Sequence, residues 1–212
     1  MKDFPFFTTE YGVASLTLKE IPYTRTAYIK IQDTAHPEKL LEECVGFCKM
    51  AGAEKIYGAN HPFLEQYPFH TRILCMSKRR DAFTDTDAAL IPVLENTIDY
   101  WREIYNNRMS NVANFSYMSI SDGKALLRRG NGYFVHRGDV LLGIGIASGE
   151  KIDAVIAVQK GAGEDVVLAL NHALSGECAI LEVASENEKA IRLYERMGFE
   201  KTSEISCWYR LL

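Results

Sequence analysis

Apolar and polar positions alternate over several short runs, which is the pattern of β-strands. Two such runs, residues 12–20 and 25–32, come first, and Ile29 and Ile31 alternate with Tyr28 and with a lysine in the second. Further strands are predicted over residues 55–59, 70–77, 133–136, 140–147, 153–158, 178–183 and 205–211. The run 153–158 (DAVIAV) is nearly all apolar, which predicts a central strand.

Helical spacing of apolar residues predicts the helices. In the first, residues 37–51, one face is formed by Leu40, Leu41, Cys44, Val45 and Cys48. Asp87 is predicted to cap a helix that runs to Asn106-Asn107, and a short helix follows Ser119 or Ser121. The last two helices are predicted over residues 165–174 and 187–197, with Gly198 ending the second.

The order of these elements predicts an α/β fold in which helices cover a mixed sheet. The strands at 133–136, 140–147 and 153–158 are expected to pair antiparallel through tight turns. The two strands that flank the helix 165–174 are expected to be parallel, with a right-handed crossover. A polar junction, residues 78–87, suggests two modules, residues 1–80 and 81–212.

Composition narrows the class of protein. The 212 residues are 47% apolar and 25% charged, as in folded globular chains, and the net charge is −4. Without a basic stripe we expect no nucleic-acid partner, and without an apolar run of about 20 residues no membrane span. The first residues do not resemble a signal peptide, so a cytoplasmic location is expected. The five cysteines are scattered, and no Cys or His set predicts a metal site.

One C-terminal segment carries a specific motif. Leu181-Glu-Val183, Asn187, Ala190, Leu193-Tyr194 and Gly198-Phe199 follow the spacing LEV-x3-N-x2-A-x2-LY-x3-GF. This segment resembles the C-terminal motif of the GCN5-related N-acetyltransferases (GNATs), and the likeness extends more weakly back to about residue 85. The resemblance implies the GNAT fold for residues 81–212 and acetyl-CoA as the cosubstrate, without a metal.

The resemblance also implies where CoA binds. A strand, a glycine turn and a helix N-terminus stand where the family holds the pyrophosphate, and such a terminus offers N–H groups and a positive dipole end. The implied cofactor-binding residues are Ile156, Ala157, Val158, Lys160, Gly161, Ala162, Gly163, Glu164, Asp165, Val166, Asn187 and Ala190. Lys160 and Asp165 depart from the family's usual turn. Asp165 either opposes the phosphate charges or caps its own helix. Asn187 is expected to bond the pantetheine arm, to cap its helix, or to do both.

Two residues are implied as catalytic. Tyr194 occupies the family's general-acid position, where a phenol can protonate the departing thiolate; otherwise it only packs on the sheet. Glu182 is the candidate base for the acceptor amine, unless its carboxylate faces elsewhere. Other candidates near the acceptor, each with a structural alternative, are His136, His172, Tyr105, Tyr117 and Tyr133.

The first module repeats the strand–helix–strand order of residues 154–183 but lacks the glycine turn. It is interpreted as a degenerate GNAT-like half, or as an unrelated α/β extension. The expected function is acetyl transfer from acetyl-CoA to a primary amine of a small molecule or peptide. The alternatives are a non-catalytic CoA-binding regulatory module and an enzyme that uses another acyl-CoA; a homodimer is an open alternative for assembly.

Overall fold

Strands and helices alternate along residues 5–212, the part of the chain that the computed structural model describes. Residues 1–4, on which the expectation about a signal peptide partly rests, lie outside the described residues. The strands are β1 (Phe6–Thr9), β2 (Gly12–Thr17), β3 (Thr26–Thr34), β4 (Lys55–Ala59), β5 (Phe69–Arg79), β6 (Ala89–Pro92), β7 (Gly132–Arg137), β8 (Val140–Ser148), β9 (Lys151–Ala157), β10 (Cys178–Ala184) and β11 (Glu200–Arg210). The helices are α1 (Ile21–Thr24), α2 (Pro37–Met50), α3 (Ile98–Met109), α4 (Ile120–Arg129), α5 (Gly163–Asn171) and α6 (Glu188–Arg196). The α/β class is therefore confirmed.

The described chain divides into two units. The first contains the chain up to Ile73 together with Glu204–Leu212, and the second is Leu74–Ser203. The strands β5 and β11 each contribute residues to both units. A single boundary at residue 80 was predicted, but Glu204–Leu212 also belong to the first unit.

In the first unit the strand order is β1-β2-β3-β4-β11. β3 and β4 are parallel and the other neighbouring pairs are antiparallel. The predicted face of α2 packs on this sheet, where Leu40, Cys44 and Cys48 are fully buried together with Ile29. This strand–helix–strand order agrees with the prediction for the first module, while its relation to a GNAT half stays a prediction.

In the second unit the strand order is β10-β9-β8-β7-β6. β7, β8 and β9 pair antiparallel through the predicted turns, and β10 is parallel to β9, as expected. β6 pairs antiparallel with β7, although α3 and α4 separate the two strands in sequence. The buried helix α5 belongs to one apolar core, whereas Trp101 of α3 and Leu126 of α4 belong to another. Two helical layers therefore bury the central strands β8 and β9.

The helix predicted to start at Asp87 is a correction. Residues Ala89–Pro92 form the edge strand β6, and the helix begins only at Ile98 and continues past Asn106 to Met109. Pro92 explains the difference, because proline disfavours helical geometry in the preceding residue and is tolerated on an edge strand. Asp87 instead forms an ion pair with Arg137.

Among the described helices, none combines the length and the apolar character that a membrane span requires.

Candidate functional site

The strands β9 and β10 separate soon after they begin to pair. Ile180 pairs with Lys151 and Leu181 with Ile152, and the pairing goes no further along the two described strands. Beyond this point the facing edges of both strands leave backbone groups outside the ladder. An open strand edge of this kind is suited to an extended ligand that carries amides, because the ligand can complete the hydrogen bonds of the strands.

An irregularity in β9 lies next to the point of separation. The register between β8 and β9 shifts between the pairs Ile146–Ala154 and Ala147–Ile152, so that Asp153 is an additional residue. A bulge of this type bends a strand and turns its backbone groups. After the bulge, Ala154 and Ile156 face the core that contains Trp101.

The turn after β9 leads into α5. Gly161 has a φ of +88°, a conformation that favours glycine, and a Cβ at this position would meet nothing within 4 Å. Ala162 is the N-cap residue of α5 and supplies no side-chain cap. The N–H groups of the first helical turn are therefore not capped by that side chain, which leaves donors for an anion.

Gly163 is required for packing as well as for an open turn. A Cβ at Gly163 would lie 2.8 Å from Cδ2 of Leu193 on α6. α5 and the motif helix α6 therefore approach each other closely at the start of α5. The side chains of Lys160 and Glu164 are exposed, whereas Val166 is fully buried and donates its N–H to the Ala162 carbonyl.

Asp165 lies in the first turn of α5 and is not the N-cap, so the capping alternative is wrong. Its carboxylate accepts a 2.7 Å hydrogen bond from Arg137, which also donates to Asp87 at 2.6 Å. These two hydrogen bonds raise the pKa of the Arg137 guanidinium above its ordinary value. The negative charge of Asp165 is therefore balanced by a residue that the sequence did not indicate.

Arg108 of α3 was also missed. Its guanidinium donates a 3.1 Å hydrogen bond to the carbonyl of Val158, at the end of β9. The side chain is exposed, so a second positive group lies at the entrance to the turn. No local pattern marks Arg108 or Arg137, because both reach the turn from other elements.

Tyr194 is on α6 and is only 7% exposed. Its ring lies 5.7 Å from that of Phe199, between the centroids. Burial raises the pKa of the Tyr194 phenol to about 12, so the group is protonated at neutral pH. The Tyr194 ring therefore packs in the core, as one alternative expected. Its phenol also carries the proton that a general acid must donate.

Glu182 faces outward on β10 and is paired with Lys151 at 3.1 Å. Both side chains are about half exposed, and the pKa of Lys151 is raised chiefly by its hydrogen bond to Glu182. The two residues line a small pocket at the point where the strands separate, together with Ile152, Asp153, Ile180 and Leu181. A candidate base is thus beside the separation, but its carboxylate already has a cationic partner.

The start of α6 is capped by Asn187, whose side chain accepts a 3.3 Å hydrogen bond from the Ala190 N–H. The capping alternative for Asn187 is therefore confirmed, and a contact with pantetheine stays a prediction. Among the other candidates, Tyr105 is buried, whereas His172 is exposed at the end of α5. Within residues 5–212, no cluster of His, Cys, Asp and Glu could hold a metal ion.

One family model matches the part of the chain that contains the glycine turn and α6. Residues 157–209 match the model of the FR47-like protein family. No curated protein matches the sequence significantly.

Solved structures match almost the whole chain. A functionally unknown conserved protein from Staphylococcus epidermidis is 14% identical and has a TM-score of 0.65, with 99% of this chain and 94% of that chain covered. A GCN5-related N-acetyltransferase from Sphaerobacter thermophilus is 12% identical and has a TM-score of 0.60, with coverage of 93% and 75%.

A tandem GNAT protein from the clavulanic acid biosynthesis pathway is 11% identical and has a TM-score of 0.56, with coverage of 94% and 78%. At these identities the likeness establishes the fold. The chain therefore has the GCN5-related N-acetyltransferase fold, and its resemblance to that superfamily is confirmed.

Proposed function

We propose that the protein transfers an acetyl group from acetyl-CoA to a primary amine of a small molecule or peptide. The observation that carries this proposal is the separation of β9 and β10 after two residue pairs, with a glycine turn and a helix without a side-chain cap at the end of β9. When bound, acetyl-CoA supplies a thioester as the acyl donor and a thiol as the leaving group. No metal is part of the proposal.

The residues along this path fit the parts of the cosubstrate. Ile156 and Ala157 belong to the part of β9 beyond its last pair with β10, where the strand can bond the amides of the pantetheine arm. Val158 follows β9 and already donates its N–H to Leu142 and accepts from Arg108, so its backbone contributes less to this contact. The turn Lys160–Gly163 and the first turn of α5 provide N–H donors and a dipole for the pyrophosphate. Arg108 and Lys160 add positive charge at the same end of β9.

Two side chains handle protons in this proposal. Tyr194 holds a proton on its phenol oxygen at neutral pH and donates it to the departing sulfur. Glu182 accepts a proton from the acceptor ammonium, directly or through water, after its carboxylate releases Lys151. The ion pair is about half exposed, so its separation has a small energetic cost, typically below about 1 kcal/mol.

The pairing of Glu182 with Lys151 also favours a second candidate function, a module that binds CoA without catalysis. In such a module the binding surface of β9 and α5 is kept, and Glu182 serves only the surface of the sheet. An enzyme that uses another acyl-CoA differs from the first proposal only in the donor. The homodimer and the cytoplasmic location stay predictions.

The experiment measures thiol release from acetyl-CoA with a panel of primary amines, and CoA affinity by calorimetry. We expect amine-dependent release, and we expect Tyr194→Phe to lower turnover by about 10²–10⁴-fold with nearly unchanged affinity. Tyr28→Phe is the matched control, because burial also raises the pKa of this phenol but in the first unit. CoA binding without release for any amine would favour the non-catalytic module.

A further inference from the structure

An acidic residue stands in the part of α5 that the proposed function assigns to the pyrophosphate. Asp165 is in the first turn of the helix, two residues after Gly163, and its side chain is 27% exposed. A carboxylate there stabilises the helix dipole but repels a phosphate. Binding of CoA at this turn therefore requires that the charge of Asp165 be balanced.

Arg137, at the end of β7, supplies the positive charge that balances Asp165. Its Nη2 donates to Asp165 at 2.7 Å and its Nε donates to Asp87 at 2.6 Å, so one guanidinium joins two carboxylates. Asp87 precedes the edge strand β6, which pairs with β7, and its carboxylate accepts from the same guanidinium. The hydrogen bonds that it donates to both carboxylates also fix the orientation of the Arg137 side chain, which is 44% exposed.

Resting on the proposed function, we propose that Arg137 is a positioning residue for CoA: it neutralises and holds Asp165 so that the N-terminus of α5 can accept the pyrophosphate. In this role Arg137 acts through Asp165 and does not itself contact the phosphates. The two residues are 28 positions apart, and the pairing depends on the fold of β7 against α5 rather than on a local motif.

A double-mutant cycle tests this role, with CoA as the ligand and calorimetry as the measurement. We expect Arg137→Met to weaken CoA binding about fivefold, the upper range for an exposed charge pair. Asp165→Asn alone is expected to bind CoA at least as tightly as the wild type. In the Asp165→Asn background, Arg137→Met is then expected to change the affinity by less than about twofold.

Two further variants control for the loss of an exposed positive charge and for the change of side chain at position 137. Arg79→Met removes the same charge from another exposed ion pair, with Asp81, and is expected to leave CoA affinity unchanged. Arg137→Lys keeps the charge and is expected to recover most of the affinity. Thermal unfolding of each variant verifies that the fold is intact, so that loss of binding is not confused with loss of structure.

The outcomes separate this inference from the proposed function. If wild-type protein does not bind CoA, the proposed function fails. If the wild type binds but Arg137→Met binds equally well, the balancing role is wrong and the function stands. If Arg137→Met costs fivefold in both backgrounds, Arg137 contacts the phosphates directly and the role through Asp165 is overturned.

Discussion

The two units contain the same sequence of elements, a strand, a helix and a parallel strand, but only one leaves its strands apart. β3 and β4 pair over five residues, from Thr26–Lys55 to Lys30–Ala59, whereas β9 and β10 pair over two. In the first unit Tyr28 and Tyr57 stack across the pair, with ring centroids 5.8 Å apart. The first unit thus pairs these backbone groups within its own sheet, whereas in the second they lie outside the β9–β10 ladder, where we propose that CoA binds.

The starts of α2 and α5 also differ in the backbone N–H donors and in the charge that they present. α2 begins with Pro37, which has no N–H, and an acidic residue, Glu38, follows in the first turn. α5 begins after Gly161 with Ala162 as the N-cap. Its first turn contains Glu164, which is exposed, and Asp165, which is paired with Arg137. A shared order of elements therefore does not by itself provide the phosphate site that we propose at α5. Such a site also depends on backbone N–H groups without a partner and on a cationic partner for the acidic side chains beside them.

The largest expected effect comes from separating the units. We expect a fragment of residues 81–212 to be insoluble or molten, because Trp208–Arg210 of β11 pair with β4 and would lose that partner. The buried Met76 of β5 is removed as well. Solubility and thermal unfolding of the purified fragment provide the measurement.

A fragment of residues 74–203 is the matched control for this deletion. It follows the bounds of the second unit and keeps Met76 without the unpaired end of β11, so we expect it to be more soluble than 81–212. If fragment 81–212 unfolds cooperatively and binds CoA like the full chain, the first 80 residues are an independent addition.

The glycines of the two helices give a sharper test. Gly163→Val introduces a branched side chain where a Cβ already meets Leu193 at 2.8 Å, and we expect CoA affinity to fall by at least about tenfold. Gly46→Val in α2 is the control, because a Cβ there meets nothing within 4 Å. Calorimetry should show a loss for the first variant alone, and equal affinities would place the phosphate site elsewhere.

The smallest effect concerns alkaline pH. Burial raises the pKa of Tyr194 to about 12, above the value of about 10 for an unfolded chain. The stability contributed by the neutral phenol is therefore complete below pH of about 10 and is lost as the pH rises toward 12. Between pH 9 and 11 the wild type is therefore expected to lose about 1 kcal/mol more of its free energy of unfolding than Tyr194→Phe does. About one pH unit of the interval between the two pKa values lies below pH 11.

Denaturant unfolding at the two pH values measures this difference. Tyr28→Phe should act in the same direction in the first unit, because burial also raises the pKa of Tyr28. An identical loss of stability in the wild type and in Tyr194→Phe would mean that Tyr194 ionises as readily in the folded state as in the unfolded chain.

Local patterns predicted the elements well where a single period dominated. The spacing of Leu40, Cys44 and Cys48 gave the buried face of α2, and the apolar run of β9 gave a central strand. The pattern failed between Asp87 and Leu94, where apolar residues fit a helix but Pro92 excludes one. Propensity was overridden there by pairing with β7.

The site was predictable only in part. The glycine turn and the motif helix could be located, because their residues are adjacent in sequence. The length of the β9–β10 pairing could not, because periodicity does not show how far two strands stay together. Arg108 and Arg137 were missed for a similar reason, since each reaches the turn from an element distant in sequence.

The return of the C-terminus to the first unit has a consequence for synthesis of the chain. β4 is synthesised before Leu74–Ser203, but the residues that pair with Tyr57, Gly58 and Ala59 are Arg210, Tyr209 and Trp208, which are synthesised after that whole unit. Until then β4 presents an open edge, which favours association with other chains. The N-terminal unit therefore cannot finish folding on the ribosome ahead of the rest, as N-terminal domains usually do.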